Sequence, residues 1–212
     1  MKLILATILC FGITLCLSQN IESSANDGNT RSSFRFLIQG GIGYGNIENE
    51  SAPNYNLNLD YFEALINYRF SKQYGVATGV GINEFSGNGF NLNGNFYHER
   101  EELRIPLLAT ADYNVNEKIK AIVGLGFYGK TNLTDDYRFL NDLQKDVYED
   151  WNFGFQGNFS VLFMLTPNYS FGLNFNTQND FTDAKANPEQ LISGEQRMKN
   201  VSALGILIMM QF

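Results

Sequence analysis

The chain carries one histidine, His98, in the string His98-Glu99-Arg100-Glu101-Glu102. An imidazole beside carboxylates is the material of general acid–base chemistry and of Ser–His–Asp hydrolysis. No serine lies near it in sequence. The expected state is therefore a solvated loop or strand-end histidine with no catalytic role. A second concentration of reactive groups is Asp135, Asp136, Asp142, Asp146, Glu149 and Asp150. Hard oxygen ligands of this kind suit Ca²⁺, but their spacing is not that of an EF-hand, and solvated carboxylates are expected. Gly40-Gly41-Ile42-Gly43-Tyr44-Gly45 has the glycine density of a nucleotide fingerprint. No helix follows it, so that reading is discarded. The sequence thus leads to no catalytic, cofactor or metal site, and the chain is not expected to be an enzyme.

The remaining charges that command attention are Arg35, Glu63, Arg69, Glu102, Arg104, Asp112 and Lys120. Each falls on the polar face of an alternating segment. If that face is enclosed, the charges must be paired. The expectation is a salt-bridged plug.

The elements that hold these groups follow from a period-two pattern. From Tyr169, the residues Tyr169, Phe171, Leu173 and Phe175 share one face, and Ser170, Gly172, Asn174 and Asn176 the other. The same alternation appears around Phe34–Tyr44, Phe62–Phe70, Tyr74–Ile82, Leu103–Ala111, Ile119–Phe127, Phe153–Leu165 and Met198–Phe212. That makes eight predicted strands. Leu57, Leu59 and Tyr61 run out of phase with Phe62 onward, which predicts a bulge or loop boundary near Tyr61. Short connections (Ser71–Gln73, Asn114–Lys118, Thr166–Asn168) alternate with long ones at about Asn46–Asn56, Glu84–Glu101, Lys130–Asn152 and Asn179–Arg197. Within the third long connection, Asp136 to Val147 is read as a short helix. An even set of up-and-down strands with tight turns at one end and long loops at the other is the pattern of an outer-membrane barrel.

Composition agrees. Only 17% of the 212 residues are charged, 14% are aromatic and 20 are glycine. This excludes a disordered chain and disfavours a helical bundle. A net charge of −7 offers nothing to nucleic acid. Leu3 to Leu17 is almost wholly apolar after Met1-Lys2. Its length is that of a signal-peptide core and short of the roughly 20 residues of a spanning helix. Residues 1–18 are read as a signal peptide, 19–33 as a flexible periplasmic lead-in and 34–212 as the barrel. Both cysteines, Cys10 and Cys16, lie in the leader. Disulfides and thiol chemistry are excluded from the mature chain.

Periodicity alone does not say which face meets lipid. A secreted lipocalin-like barrel would turn its apolar face inward. Here the polar face is mostly Gly, Ala, Ser, Asn and Gln, suited to a cramped eight-stranded interior. The apolar face is Phe, Leu, Ile, Val and Tyr without Lys or Arg, suited to hydrocarbon. The expected fold is an all-β, eight-stranded antiparallel up-and-down transmembrane barrel.

The segment Glu101-Glu102-Leu103-Arg104-Ile105-Pro106-Leu107-Leu108 is similar to the LxIPLL strand of PorT-like outer-membrane β-barrel proteins, often labelled porin family. The glycine-rich opening strand Gln39–Gly45 fits the same family. The terminal strand VSALGILIMMQF resembles the outer-membrane assembly signal, with Phe212, Met210 and Ile208 as its apolar positions. The resemblance implies a barrel in the cell outer membrane of a Gram-negative bacterium. It implies contact with membrane lipid and lipopolysaccharide, and docking on the barrel-assembly machinery during biogenesis. A monomer is expected. The functional expectation is a filled barrel with a structural or surface-binding role through its extracellular loops. A small-solute porin and a lipid-modifying enzyme are the alternatives, and eight strands are too narrow for an aqueous channel.

Overall fold

The computed structural model describes residues 34–50, 52–148, 150–187, 192 and 194–211. The expected leader (1–18), the lead-in (19–33) and Phe212 lie outside the described residues. The strands are β1 (Phe34–Asn49), β2 (Tyr55–Arg69), β3 (Tyr74–Asn91), β4 (Gly94–Asn114), β5 (Ile119–Phe139), β6 (Leu143–Gln144), β7 (Asn152–Met164), β8 (Tyr169–Asp180), β9 (Ala184–Lys185) and β10 (Glu195–Gln211). Eight of them form an antiparallel ring in the order β1-β2-β3-β4-β5-β7-β8-β10, and β1 pairs back onto β10. The two-residue strands β6 and β9 add to β5 and β10. The fold is an eight-stranded antiparallel up-and-down barrel. Closure removes the free sheet edges that an open sheet would expose.

Burial runs opposite to that of a water-soluble protein. On β8, Tyr169, Phe171, Leu173 and Phe175 are exposed while Ser170, Gly172, Asn174 and Asn176 are buried. On β4 the outward residues Leu103, Ile105, Leu107, Ala109, Ala111 and Tyr113 form an uncharged stretch. Its length matches the roughly 9–11 residues with which a tilted strand crosses a bilayer. Phe34, Tyr68, Phe70, Tyr74, Tyr113 and Tyr169 stand half-exposed toward the short-turn end of this belt. Tyr44, Phe127, Trp151 and Phe153 stand toward the other. These are the aromatic girdles of a transmembrane barrel.

The strands do not stop where the belt ends. Three sequence expectations change here. First, the connection expected over Glu84–Glu101 is a continuation of β3 and β4, which meet across residues 92–93. Gly94 completes that turn with φ +112°, a backbone region L-residues rarely enter. Second, the helix expected from Asp136 to Val147 is absent. β5 continues to Phe139 because cross-strand partners on β4 extend as far as Phe96. Third, β2 runs unbroken from Tyr55 to Arg69, with no register shift near Tyr61 on either side. What changes at Tyr61 is the surroundings of the strand. Below it, Phe62 and Ile66 point outward. Above it, Leu57, Leu59 and Tyr61 point inward and pack with Ile47, Phe85 and Met198. Their outward neighbours Asn58 and Asp60 are exposed and polar.

The true irregularities lie elsewhere. The β1–β10 register shifts between Tyr44 and Asn46, where Asn200 takes a positive φ of 52°. The β4–β5 register shifts between Glu101 and Glu102. The β3–β4 ladder is interrupted between Thr78↔Leu107 and Gly81↔Arg104. Pro106 lies in that gap and has no N–H to donate. The Thr78 hydroxyl compensates by donating to the Pro106 carbonyl at 2.8 Å.

Candidate functional site in the lumen and at its mouth

Inward side chains fill the barrel in layers. Nearest the short turns, Arg35 on β1 forks onto Asp112 on β4, with Nη1–Oδ2 at 2.5 Å and Nη2–Oδ1 at 3.0 Å. Asn67 accepts from the same guanidinium at 3.0 Å, and Lys120 Nζ stands 3.6 Å from Asp112. Arg69 is half-buried at the same end of β2. Leu37, Leu65, Leu108, Leu162 and Leu207 form an apolar layer above.

The next layer centres on Glu63. Its carboxylate accepts from Arg104 Nη2 at 3.0 Å, from Gln39 Nε2 at 2.5 Å and from Gln156 Nε2 at 3.2 Å. Gly81 lies between Glu63 and Arg104 in register. A methyl group there would stand 3.2 Å from Arg104 Nη2 and 3.4 Å from Glu63, so glycine leaves room for the ion pair. Strands β2 and β7 face each other across the ring. The Gln156–Glu63 bond therefore spans the lumen. Asn83 on β3 donates to Gln178 on the opposite strand β8 at 3.2 Å. Tyr61 and Asn174 add a further bridge at 2.9 Å.

Above these, Lys130 lies between Glu102 (2.7 Å) and Asp180 (2.9 Å). The charges read from sequence thus divide. Arg35, Asp112 and Lys120 share one cluster, Glu63 and Arg104 another. Glu102 joins Lys130 and Asp180, which the sequence reading did not single out. Of the terminal positions, Ile208 and Met210 point outward on β10.

The mouth of the barrel overturns the reading of His98. It is fully buried, not solvated. Its Nε2 lies 2.6 Å from Asp135 Oδ1 and its Nδ1 2.9 Å from the Tyr55 hydroxyl. Its ring stacks on Tyr137 at 4.0 Å between centroids. Asp135, read as a solvated loop carboxylate, is buried too. It accepts from Arg100 Nε and Nη2, each at 3.0 Å. Arg100 also donates across the ring to Gln196 Oε1 on β10 at 2.6 Å. Gln196 Nε2 donates to the Tyr137 hydroxyl at 2.9 Å and to Asn49 Oδ1 at 2.7 Å. The missed signal is spacing. Phe96, His98, Arg100, Glu102 and Arg104 recur every second residue, which is one strand face.

The electrostatics of this network favour one arrangement of its protons. Burial pushes the His98 imidazole below its ordinary pKa, and the Asp135 carboxylate resists without reversing it. Burial would raise the Asp135 carboxyl, but Arg100 and His98 hold it below the usual carboxylate range. His98 is therefore neutral, donating from Nε2 to Asp135 and accepting at Nδ1 from Tyr55. A hydroxyl, an imidazole and a carboxylate in line resemble a nucleophilic relay. Here burial raises the Tyr55 phenol above its ordinary range, against its ionisation. Tyr148, under the Arg100 guanidinium at 5.5 Å, is pushed up to about 12, mainly by burial. The arrangement is positional: it fixes rotamers at the mouth.

A cleft of about 160 Å³ opens directly above, with Tyr55, Tyr137 and Gln196 in its floor. On the outer wall of the same end, Asp60, Glu84 and Glu101 stand in cross-strand register, with Glu99 and Asp136 close by. Among the described residues, no three His, Cys, Asp or Glu side chains converge as metal ligands.

No family model matches the chain, and no curated protein matches it. Solved structures do match. The crystal structure of Neisserial surface protein A superposes with a TM-score of 0.53 at 12% identity, covering 87% of this chain and 100% of that one. The outer membrane protein OprG from Pseudomonas aeruginosa gives 0.49 at 16% identity, over 86% and 97%. At these identities the likeness is one of fold, the β-barrel of outer-membrane proteins.

Proposed function

We propose that the chain is a small, closed outer-membrane barrel that acts through its extracellular end as a binding surface. It is of the PorT-like kind that its LxIPLL strand resembles. One observation carries the reading: lumenal hydrogen bonds join opposite strands at successive heights. Gln156–Glu63, Asn83–Gln178 and Arg100–Gln196 each cross the ring. A porin needs a continuous aqueous path, and these bridges oppose one. The apolar belt supports residence in a bilayer, with lipid and lipopolysaccharide around it. In this reading Ile208, Met210 and Phe212 dock on the barrel-assembly machinery, and the finished protein is a monomer.

The test is single-channel recording of the refolded protein in planar bilayers. The expected trace lacks steady openings. Large, long-lived conductance steps would replace this reading with the porin one.

A further inference from the structure

We propose that the cleft at the mouth binds a neutral pyranose sugar. This deepens the surface-binding reading above and rests on it. The cleft is small, about 160 Å³, against roughly 300–1,000 Å³ for pockets that take drug-sized ligands. It has room for one compact ring.

Its lining selects the chemistry. Four carboxamides face it: Asn49, Asn91, Asn93 and Gln196. Gln196 and Asn49 are already bonded to each other in the floor, while Asn91 and Asn93 at the rim present amide donors with the Asn93 carbonyl beside them, the pairing that adjacent sugar hydroxyls require. Tyr55 and Phe96, packed edge to face at 5.3 Å, supply aromatic carbon for the C–H face of a ring. Among the described lining residues there is no Lys or Arg, so phosphate, sulfate and carboxylate find no counter-charge. Glu195 is the one charged group, and it already faces Lys185 at 3.8 Å. The rim amides of Asn91 and Asn93 count against a purely apolar ligand, which would cover them without bonding them.

The floor is held ready. Gln196 is locked between Arg100, Tyr137 and Asn49. Tyr55 is locked between His98 and Tyr137. A buried ionic network is weak as a source of stability, because apolar packing does the same work as well or better. Its contribution here is preorganisation: the groups a ligand meets are ordered before it arrives.

The experiment is saturation-transfer NMR on the full mature chain in lipid nanodiscs. The probes are glucose, galactose, N-acetylglucosamine and chitotriose, with choline and glucose 6-sulfate as charged comparisons. At least one neutral sugar should give a saturable signal in the millimolar range, and the two charged probes none. A free sugar as effective as chitotriose points to a soluble ligand, a stronger chitotriose to a chain terminus; both support the site. Asn93→Ala, at the rim and outside the network, should weaken binding about fivefold, the equivalent of one net hydrogen bond. Glu195→Gln is the second rim variant and should lower affinity less. Preferential binding of choline or glucose 6-sulfate overturns the proposal. So does silence from every neutral sugar, or an unchanged affinity in both variants. Conductance is read separately, so a failed sugar site and a failed closed-barrel reading are distinguishable.

Discussion

The belt and the collar at the long-loop end are built from the same strands but follow opposite rules. In the belt, Val80, Leu107 and Leu173 face out, and Glu63, Arg104 and Asn174 face in. In the collar, Leu57, Leu59 and Tyr137 face in, and Asp60, Glu84 and Glu99 face out. On β2 the exchange happens between Tyr61 and Phe62 with no break in the strand. The backbone alternation is constant, and the medium outside it changes from hydrocarbon to water. The collar is in effect a water-soluble barrel stacked on a membrane one. Its histidine network and the Glu102–Lys130–Asp180 cluster set buried polar groups beside the apolar residues of the collar core.

Stranding a charge gives the sharpest contrast. Glu63→Ala leaves the Arg104 guanidinium buried at mid-lumen, at a cost of about 3–5 kcal/mol. Replacing both by leucine should recover most of that. Asp135→Ala strands Arg100 at the end of the barrel rather than at mid-lumen and should cost less, about 1–3 kcal/mol. Urea unfolding from lipid vesicles measures all three. Equal losses at the two levels would show that the collar is as dry as the belt.

Outward charge comes next. Val80→Arg places a cation in hydrocarbon and should cost about 2–4 kcal/mol near the midplane. Glu84→Arg, on the same face of the same strand, replaces one of three in-register carboxylates. Its effect should stay within about 0.5 kcal/mol. The same unfolding series reads both, and a collar charge reversal as damaging as the belt substitution would move the membrane boundary.

Acid should loosen the collar alone. The folded His98 pKa lies below its ordinary 6.5, so the unfolded collar takes up the proton more readily. Its contribution is complete above that value and is lost as pH falls toward the folded pKa. Asp135, also depressed, adds a second loss below its ordinary 3.8. Amide exchange, corrected for intrinsic rates, should show less protection around Phe96–Glu102 and Asp135–Phe139 at mildly acidic pH. Protection around Leu107 and Leu125 should hold. His98→Gln should remove the effect near neutrality.

The comparison also explains what could be read in advance. Belt strands announce themselves, because lipid outside keeps every second residue apolar and uncharged, while the inward positions are mostly small or polar apart from the layer of Leu37, Leu65, Leu108, Leu162 and Leu207. The collar does not. On β4 above Leu103 both faces carry polar residues: His98 and Arg100 inward, Glu99 and Glu101 outward. Hydrophobic periodicity vanishes there although the strand continues, so the segment reads as a loop. The phase change at Leu57–Tyr61 was visible, but as a bulge, since it takes the closed ring to show that only the surroundings change. The interior charges Arg35, Glu63, Arg104 and Asp112 could be placed inward from sequence. Their pairing depends on which strands face each other across the lumen, which no local pattern contains.

The central claim is that the outer face of one set of strands is apolar in the belt and polar in the collar, where Leu57 and Leu59 turn inward. Methyl NMR of the protein in nanodiscs tests it without substitution, through cross-relaxation between side-chain methyls and lipid acyl protons. Methyls of Val80, Leu107, Leu125, Leu173 and Ile206, all about half-exposed or more, should contact acyl chains. Those of Leu57, Leu59, Leu65 and Val201, all buried, should contact only protein. Acyl contacts from Leu57 and Leu59, or their absence from Leu107 and Leu173, would contradict the account.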